Sequence, residues 1–346
     1  MISSTSPLRL LSSLFLLSVP ALAVVTKNFT TPEGFTYVYD YAEAQDSKPT
    51  FLLLHGYPSS REDWRYQFAD LSAKGFGVLA PDCLGYGDSD KPLDIEAYRL
   101  KPISDHLVGI LDQECLDKVI GVGHDWGTIV LSRSAVWHPE RFQKLAFLSQ
   151  GYSAPGTFLD IDAVNAESWK QLGYMQLGYW YFLNSYNSPQ VISDNLESFF
   201  HLAYHTNASA WGVDLGNLGS ARSWLTAKTT TELPSYLTEE DKSKWLRVYG
   251  QENATAASVN YYRTLLRGTQ AEDEAGLTDE DRKLRVPVLT IGGSKDQIAA
   301  PDTQVAGTEP WATNGYTAER VDAGHWLMIE QRENVTSILI DFAAST

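Results

Sequence analysis

Asp125 lies in Gly123-His124-Asp125-Trp126-Gly127, where an apolar run meets a helical pattern. The run Lys118-Val119-Ile120-Gly121-Val122 predicts a buried parallel strand, and Thr128 to Ala135 predicts a helix. Small-x-acid-x-small at a strand-to-helix turn has the pattern of a nucleophile elbow. Its glycines suit a strained turn and a helix packed close to its strand. A serine in that position makes acyl esters. A carboxylate attacking carbon makes an alkyl ester instead, which is the wrong intermediate for acyl transfer and the right one for opening an epoxide or displacing a halide.

Three further positions fit such chemistry. His55-Gly56-Tyr57-Pro58 follows the strand-like Phe51 to Leu54, and a His-Gly turn there aims the Tyr57 N–H at the elbow. With the N–H of Trp126 it forms an oxyanion hole. Asp296, in Gly292-Gly293-Ser294-Lys295-Asp296, follows the strand Val288 to Ile291 and can orient an imidazole. The competing role, capping a helix near Pro301, is better served by Asp302. His325, in Ala323-Gly324-His325-Trp326, follows another strand, which gives the order nucleophile, acid, histidine. His124 is expected to be a buried support facing away from the target. His201 and His205 are four apart, have no third ligand, and are expected to pack within the helical region.

These residues need a framework. Phe51 to Leu54, Gly77 to Ala80, Val119 to Val122, Leu145 to Leu148, Val286 to Ile291 and Ala318 to Val321 read as strands. Amphipathic helices such as Tyr66 to Lys74 and Lys101 to Leu111 lie between them, which predicts an α/β fold with a mostly parallel sheet. From Tyr152 to Gly268 the chain is rich in Tyr, Trp, Asn and Ser and reads as helices: Glu167 to Met175, Pro189 to His201, Glu239 to Tyr249 and Val259 to Arg267. Glu272 to Asp281 carries six acids and reads as a solvated return linker. The expected organisation is a leader over 1–23, a core over 24–151, a helical cap over 152–268 and the rest of the core over 269–346. Because ligands of open α/β sheets sit beyond the strands' carboxyl ends, a cap inserted after Leu148 would cover the site and exclude water.

The 346 residues are 43% hydrophobic and 12% aromatic, enough for one elaborated domain or two. A net charge of -16 argues against nucleic-acid or anionic-membrane partners and favours solubility. Arg9, the apolar Leu10 to Val19 and Ala21-Leu22-Ala23 fit a cleavable secretory leader, with no stable membrane association after cleavage. Sequons at Asn28, Asn207, Asn253 and Asn334 add the expectation of a secreted glycoprotein. Cys83 and Cys115 fall at opposite ends of their strands, so two free thiols are expected. Neither has metal-ligand spacing, and no metal site is expected.

Together these residues resemble epoxide hydrolases of the α/β-hydrolase fold. His55-Gly56-Tyr57-Pro58 resembles their HGxP motif, and Asp63-Trp64-Arg65-Tyr66-Gln67 the segment after it. Gly85-Tyr86-Gly87, the GHDWG elbow and Gly324-His325-Trp326 extend the likeness over roughly residues 33 to 343. The resemblance implies an α/β-hydrolase fold with an inserted helical cap, whose two tyrosines hold the epoxide oxygen. Asn260-Tyr261-Tyr262-Arg263 matches the motif for one, at Tyr262. Leu177-Gly178-Tyr179-Trp180 points to Tyr179 for the other, with Tyr174 and Tyr181 close by. Trp126, Tyr179 and Tyr262 would contact a small apolar epoxide, and no cofactor is implied. The alternatives are a haloalkane dehalogenase, which commonly has Asn after His-Gly where this chain has Tyr57, and a secreted binding protein of the same fold that has lost catalysis.

Overall fold

The computed structural model describes residues 24–157 and 159–345; the expected leader lies outside them. Eight strands form one sheet in the order β1-β2-β4-β3-β5-β6-β7-β8. They are β1 (Val25–Thr30), β2 (Thr36–Ala42), β3 (Thr50–Leu54), β4 (Gly77–Pro81), β5 (Val119–His124), β6 (Phe142–Leu148), β7 (Val288–Gly293) and β8 (Tyr316–Val321). β2 runs antiparallel to β1 and β4, and the remaining pairings are parallel. The central strands β3, β4, β5 and β7 are buried at every position. That explains why they read as continuous apolar runs and not as alternating ones.

Helices α1 (Arg65–Ala73), α2 (Leu100–Gln113) and α3 (Trp126–Trp137) connect the first strands. Between β6 and β7 the chain is helical. α4 (Ile161–Leu172), α5 (Tyr179–Asn184), α6 (Ser188–Ser193), α7 (Leu196–Ala203) and α8 (Ala208–Trp211) come first. α9 (Ser220–Thr226), α10 (Glu239–Tyr249), α11 (Ala254–Ser258), α12 (Asn260–Leu266) and α13 (Ala271–Glu274) follow. α14 (Pro301–Thr308) joins β7 to β8, and α15 (Leu327–Glu330) and α16 (Arg332–Ala344) follow β8.

Several local expectations change. The helix expected over Pro189 to His201 is two, broken at Asp194 and Asn195, where Asn195 leaves helical geometry (φ -137, ψ 38) and its side chain donates to the Val191 carbonyl at 2.8 Å. The helix expected from Glu167 starts at Ile161, because Asp160 accepts the Ala163 N–H at 2.9 Å, and stops at Gly173 in the left-handed region. The acidic return segment is not wholly solvated. Glu274 is buried against Arg133, and Asp273 pairs with Arg99. Asp302 caps nothing: it sits in the first turn of α14 and pairs with Arg320. Cys83 and Cys115 are both free, as expected, the first buried and the second exposed.

Candidate active site

The parallel register brings the chemistry to one edge. Leu54 is level with Gly123, His124 with Leu148, and Gly293 with Val321. The residues just past these strand ends therefore converge. At Asp125 the backbone turns through φ 51, a left-handed value rare for a residue with a side chain. Gly123 makes the turn sterically feasible: a Cβ there would lie 2.6 Å from the Gly127 carbonyl oxygen. Thr128 N–H and hydroxyl both donate to the Asp125 carbonyl, at 2.9 and 2.6 Å, fixing the start of α3.

The carboxylate of Asp125 is held on one side. Tyr57 N–H donates to Oδ1 at 2.8 Å, and the Trp126 N–H also bonds the carboxylate. Gly56 lets them meet, since a Cβ at that position would collide with the Asp125 side chain. Burial pushes the Asp125 carboxyl up, while the nearby His325 and these two N–H donors pull it back down.

His325 Nδ1 lies 2.8 Å from Asp296 Oδ2, and its Nε2 lies 3.7 Å from Asp125 Oδ2. Burial opposes the charge on His325, yet the Asp296 and Asp125 carboxylates outweigh it and raise the imidazole above its ordinary value. Asp296 is itself fixed, because its Oδ1 accepts the N–H groups of Ile298 and Ala299 at 2.9 and 3.0 Å. The His325 loop is held from behind. His124 Nε2 lies 2.9 Å from the His325 carbonyl oxygen, and Ser149 Oγ donates to that oxygen at 2.7 Å. Glu330 accepts the N–H groups of Gly324 and Trp326 at 2.8 and 3.1 Å. Sequence reasoning missed Ser149 and Glu330. The first is a lone serine after a strand, and the second reads as an ordinary helix acid.

Across a largely apolar cavity stand Tyr179 and Tyr262, which line it together with Tyr57, Asp125, Trp211 and His325. Their rings meet edge to face at 5.9 Å. Burial raises both phenols far above their ordinary value, so each stays protonated and able to donate. Tyr174 instead donates to Gln297, and Tyr181 is partly exposed with its hydroxyl on Asp162. Of the three neighbouring tyrosines, only Tyr179 lines the cavity with Asp125. Trp126 packs its indole 4.7 Å from the Tyr262 ring and lines a second cavity that shares Asp125 and Tyr179 with the first. His201 and His205 lie apart from the site and contact Lys242 and Asp214. Among the described residues no cluster of His, Cys, Asp and Glu could hold a metal ion.

Comparison with known proteins agrees with this architecture. The family model described as alpha/beta hydrolase fold matches residues 49–331. The chain belongs to that family. It is 26% identical over 306 residues to epoxide hydrolase A of Mycobacterium tuberculosis, covering 85% of this chain and 90% of that protein. It is 28% identical over 300 residues to bifunctional epoxide hydrolase 2 of Sus scrofa, covering 86% of this chain. The match spans only about half (51%) of that longer relative. The solved structure of epoxide hydrolase A from Mycobacterium thermoresistibile superposes with a TM-score of 0.75 at 24% identity, covering 92% of this chain and 98% of that one.

Proposed function

We propose that the chain is an epoxide hydrolase that converts apolar epoxides to vicinal diols through an ester on Asp125. The observation that carries this reading is the cavity in which a nucleophilic carboxylate faces two protonated tyrosine hydroxyls. A displaced halide needs no proton, whereas the oxygen of an opening epoxide does. The names of the relatives support the same choice.

Asp125 Oδ1 is occupied by the Tyr57 N–H, so Oδ2 is the attacking atom. It forms a bond to a ring carbon as the carbon–oxygen bond breaks, and the ring oxygen takes a proton from Tyr179 or Tyr262. In the second step His325, oriented by Asp296, removes a proton from water, and the hydroxide adds to the ester carbonyl. Oδ1 becomes the oxyanion, held by the Tyr57 N–H that already donates to it, with the Trp126 N–H beside the same carboxylate as the second donor. Collapse breaks the ester carbon–oxygen bond, and the leaving alkoxide takes the proton held on His325 to complete the diol. The proton that came in with the hydroxide passes from the Asp125 acid to the phenolate, restoring the carboxylate, the imidazole and the phenol.

The leader pattern and the four sequons support a secreted, glycosylated protein. Asn28, Asn207, Asn253 and Asn334 are all exposed, as an acceptor must be. Incubation with aryl and alkyl epoxides, and in parallel with haloalkanes, tests the main reading. Diol that vanishes in Asp125→Ala upholds it, and halide release without diol replaces it.

A further inference from the structure

Arg133 lies on α3 two turns beyond Asp125 and is almost wholly buried. Its Nε donates to Glu274 Oε1 at 3.0 Å, and its Nη1 donates to the carbonyl and hydroxyl of Ser153 at 2.7 and 3.0 Å. The other oxygen of Glu274 accepts the Gly156 N–H. Ser153 and Gly156 lie where the chain leaves the sheet after β6, and Glu274 lies where it returns. One guanidinium and one carboxylate thus tie both crossings to the helix that begins at the nucleophile.

We propose that Arg133 and Glu274 are positioning residues, whose buried pair sets where α12 and its Tyr262 stand relative to Asp125. This rests on the epoxide reading above. A buried ion pair is weak evidence of stabilisation, because a well-packed apolar pair of similar volume often serves the fold as well. What the pair supplies is direction. It fixes the return segment just past α12, where Gln270 already accepts the Leu100 N–H at 2.8 Å. The two chemical steps depend on that placement unequally. Ring opening needs Tyr179 and Tyr262 from the helical region against Asp125 from the sheet edge. Ester hydrolysis draws on Asp125, His325, Asp296 and the Tyr57 and Trp126 N–H groups, all carried by the strand ends.

The test is single-turnover kinetics of the whole protein with styrene oxide, comparing wild type, Glu274→Gln and the double variant Arg133→Met with Glu274→Leu. Misplacement of a reacting group by about 1 Å can cost a hundredfold in rate, so ring opening is expected to slow at least about tenfold in both variants, with ester hydrolysis within about twofold. The double variant is expected to keep the wild-type thermal midpoint, which separates placement from stability. A folded double variant that opens the epoxide at the wild-type rate, or slows both steps equally, overturns the proposal. Hydrogen–deuterium exchange over residues 150–157 and 262–275 reads the same clasp without turnover. Faster exchange in both variants at an equal midpoint supports it, and unchanged exchange overturns it. Were wild type to open no epoxide, the reading of the site would fall while the exchange result still decided the clasp.

Discussion

His325 Nε2 stands 3.7 Å from Asp125 Oδ2, beyond hydrogen-bond reach, while its Nδ1 is bound to Asp296 at 2.8 Å. The imidazole is therefore oriented by one carboxylate and left adjacent to the other. An imidazole so placed is free to act on a water at the ester of Asp125. Replacing it with Gln should leave ring opening intact and trap the ester, seen as an added substrate mass on intact protein. Full turnover in His325→Gln, or a variant that never alkylates, would contradict this role.

The proton on His325 also sets a pH dependence. Burial lowers its affinity for a proton, but Asp296 and Asp125 reverse the balance and raise its pKa above the usual histidine value. In the free enzyme the base form is then lost at a higher pH than for a free histidine. In the ester Asp125 carries no charge, and Asp296 is the carboxylate that still favours the proton. Between about pH 8 and about pH 5, ester hydrolysis should fall roughly tenfold per unit once below that pKa, so the ester accumulates in acid. Rapid-quench measurement of the ester across this range checks it, and a hydrolysis rate flat with pH would remove His325 as the base.

Tyr179→Phe and Tyr262→Phe each delete one hydroxyl and keep the ring. Each should slow ring opening by about a hundredfold, the lower end of what a positioned acid contributes, with the thermal midpoint nearly unchanged. Because either hydroxyl can protonate the ring oxygen, the double variant should lose more than the sum of the two single losses in activation free energy. Stopped-flow rates for the single and double variants decide this, and an unaffected opening rate in either single variant excludes that tyrosine.

Asp63 offers a prediction on stability. Desolvation raises its carboxyl to about 6, against the lowering pull of the Ser59 hydroxyl at 2.6 Å, Arg65 and the Tyr204 hydroxyl at 3.1 Å. The folded pKa exceeds the unfolded one, so the native state holds the proton more tightly. The associated stability is full below about pH 4 and is lost as pH rises through about 6, worth on the order of 3 kcal/mol. Asp63→Asn should therefore stabilise the protein at pH 7 and lose that advantage below about pH 4. Equal unfolding midpoints for the two proteins at every pH would refute it.

The elements that position the chemistry were legible because burial on both faces leaves an apolar run that sequence alone can show, as in Val119 to Val122. The elbow was legible because its two glycines answer a local steric demand. Tyr179 was harder. It sits on the short helix α5, whose side chains include Tyr, Trp and Phe, so composition cannot separate packing from function. Only the fold shows that Tyr174 and Tyr181 are engaged elsewhere. The Arg133–Glu274 pair was illegible for a different reason. Its partners lie 141 positions apart, and an acid within an acidic run carries no local sign of burial.

β1 closes one end of the sheet and, among the described residues, pairs only with β2. Its outer row of backbone groups is a template on which another copy could extend the sheet, interrupted where the Asn28 carbonyl accepts the Gln113 side-chain amide at 3.0 Å. What opposes such contact is electrical repulsion between chains that each carry -16, together with the polar, exposed Asn28 at the strand's middle. Acid neutralises the carboxylates but leaves the edge in place. Colloidal stability should then fail before the fold does, with turbidity rising during acid titration while the far-ultraviolet dichroism is still native.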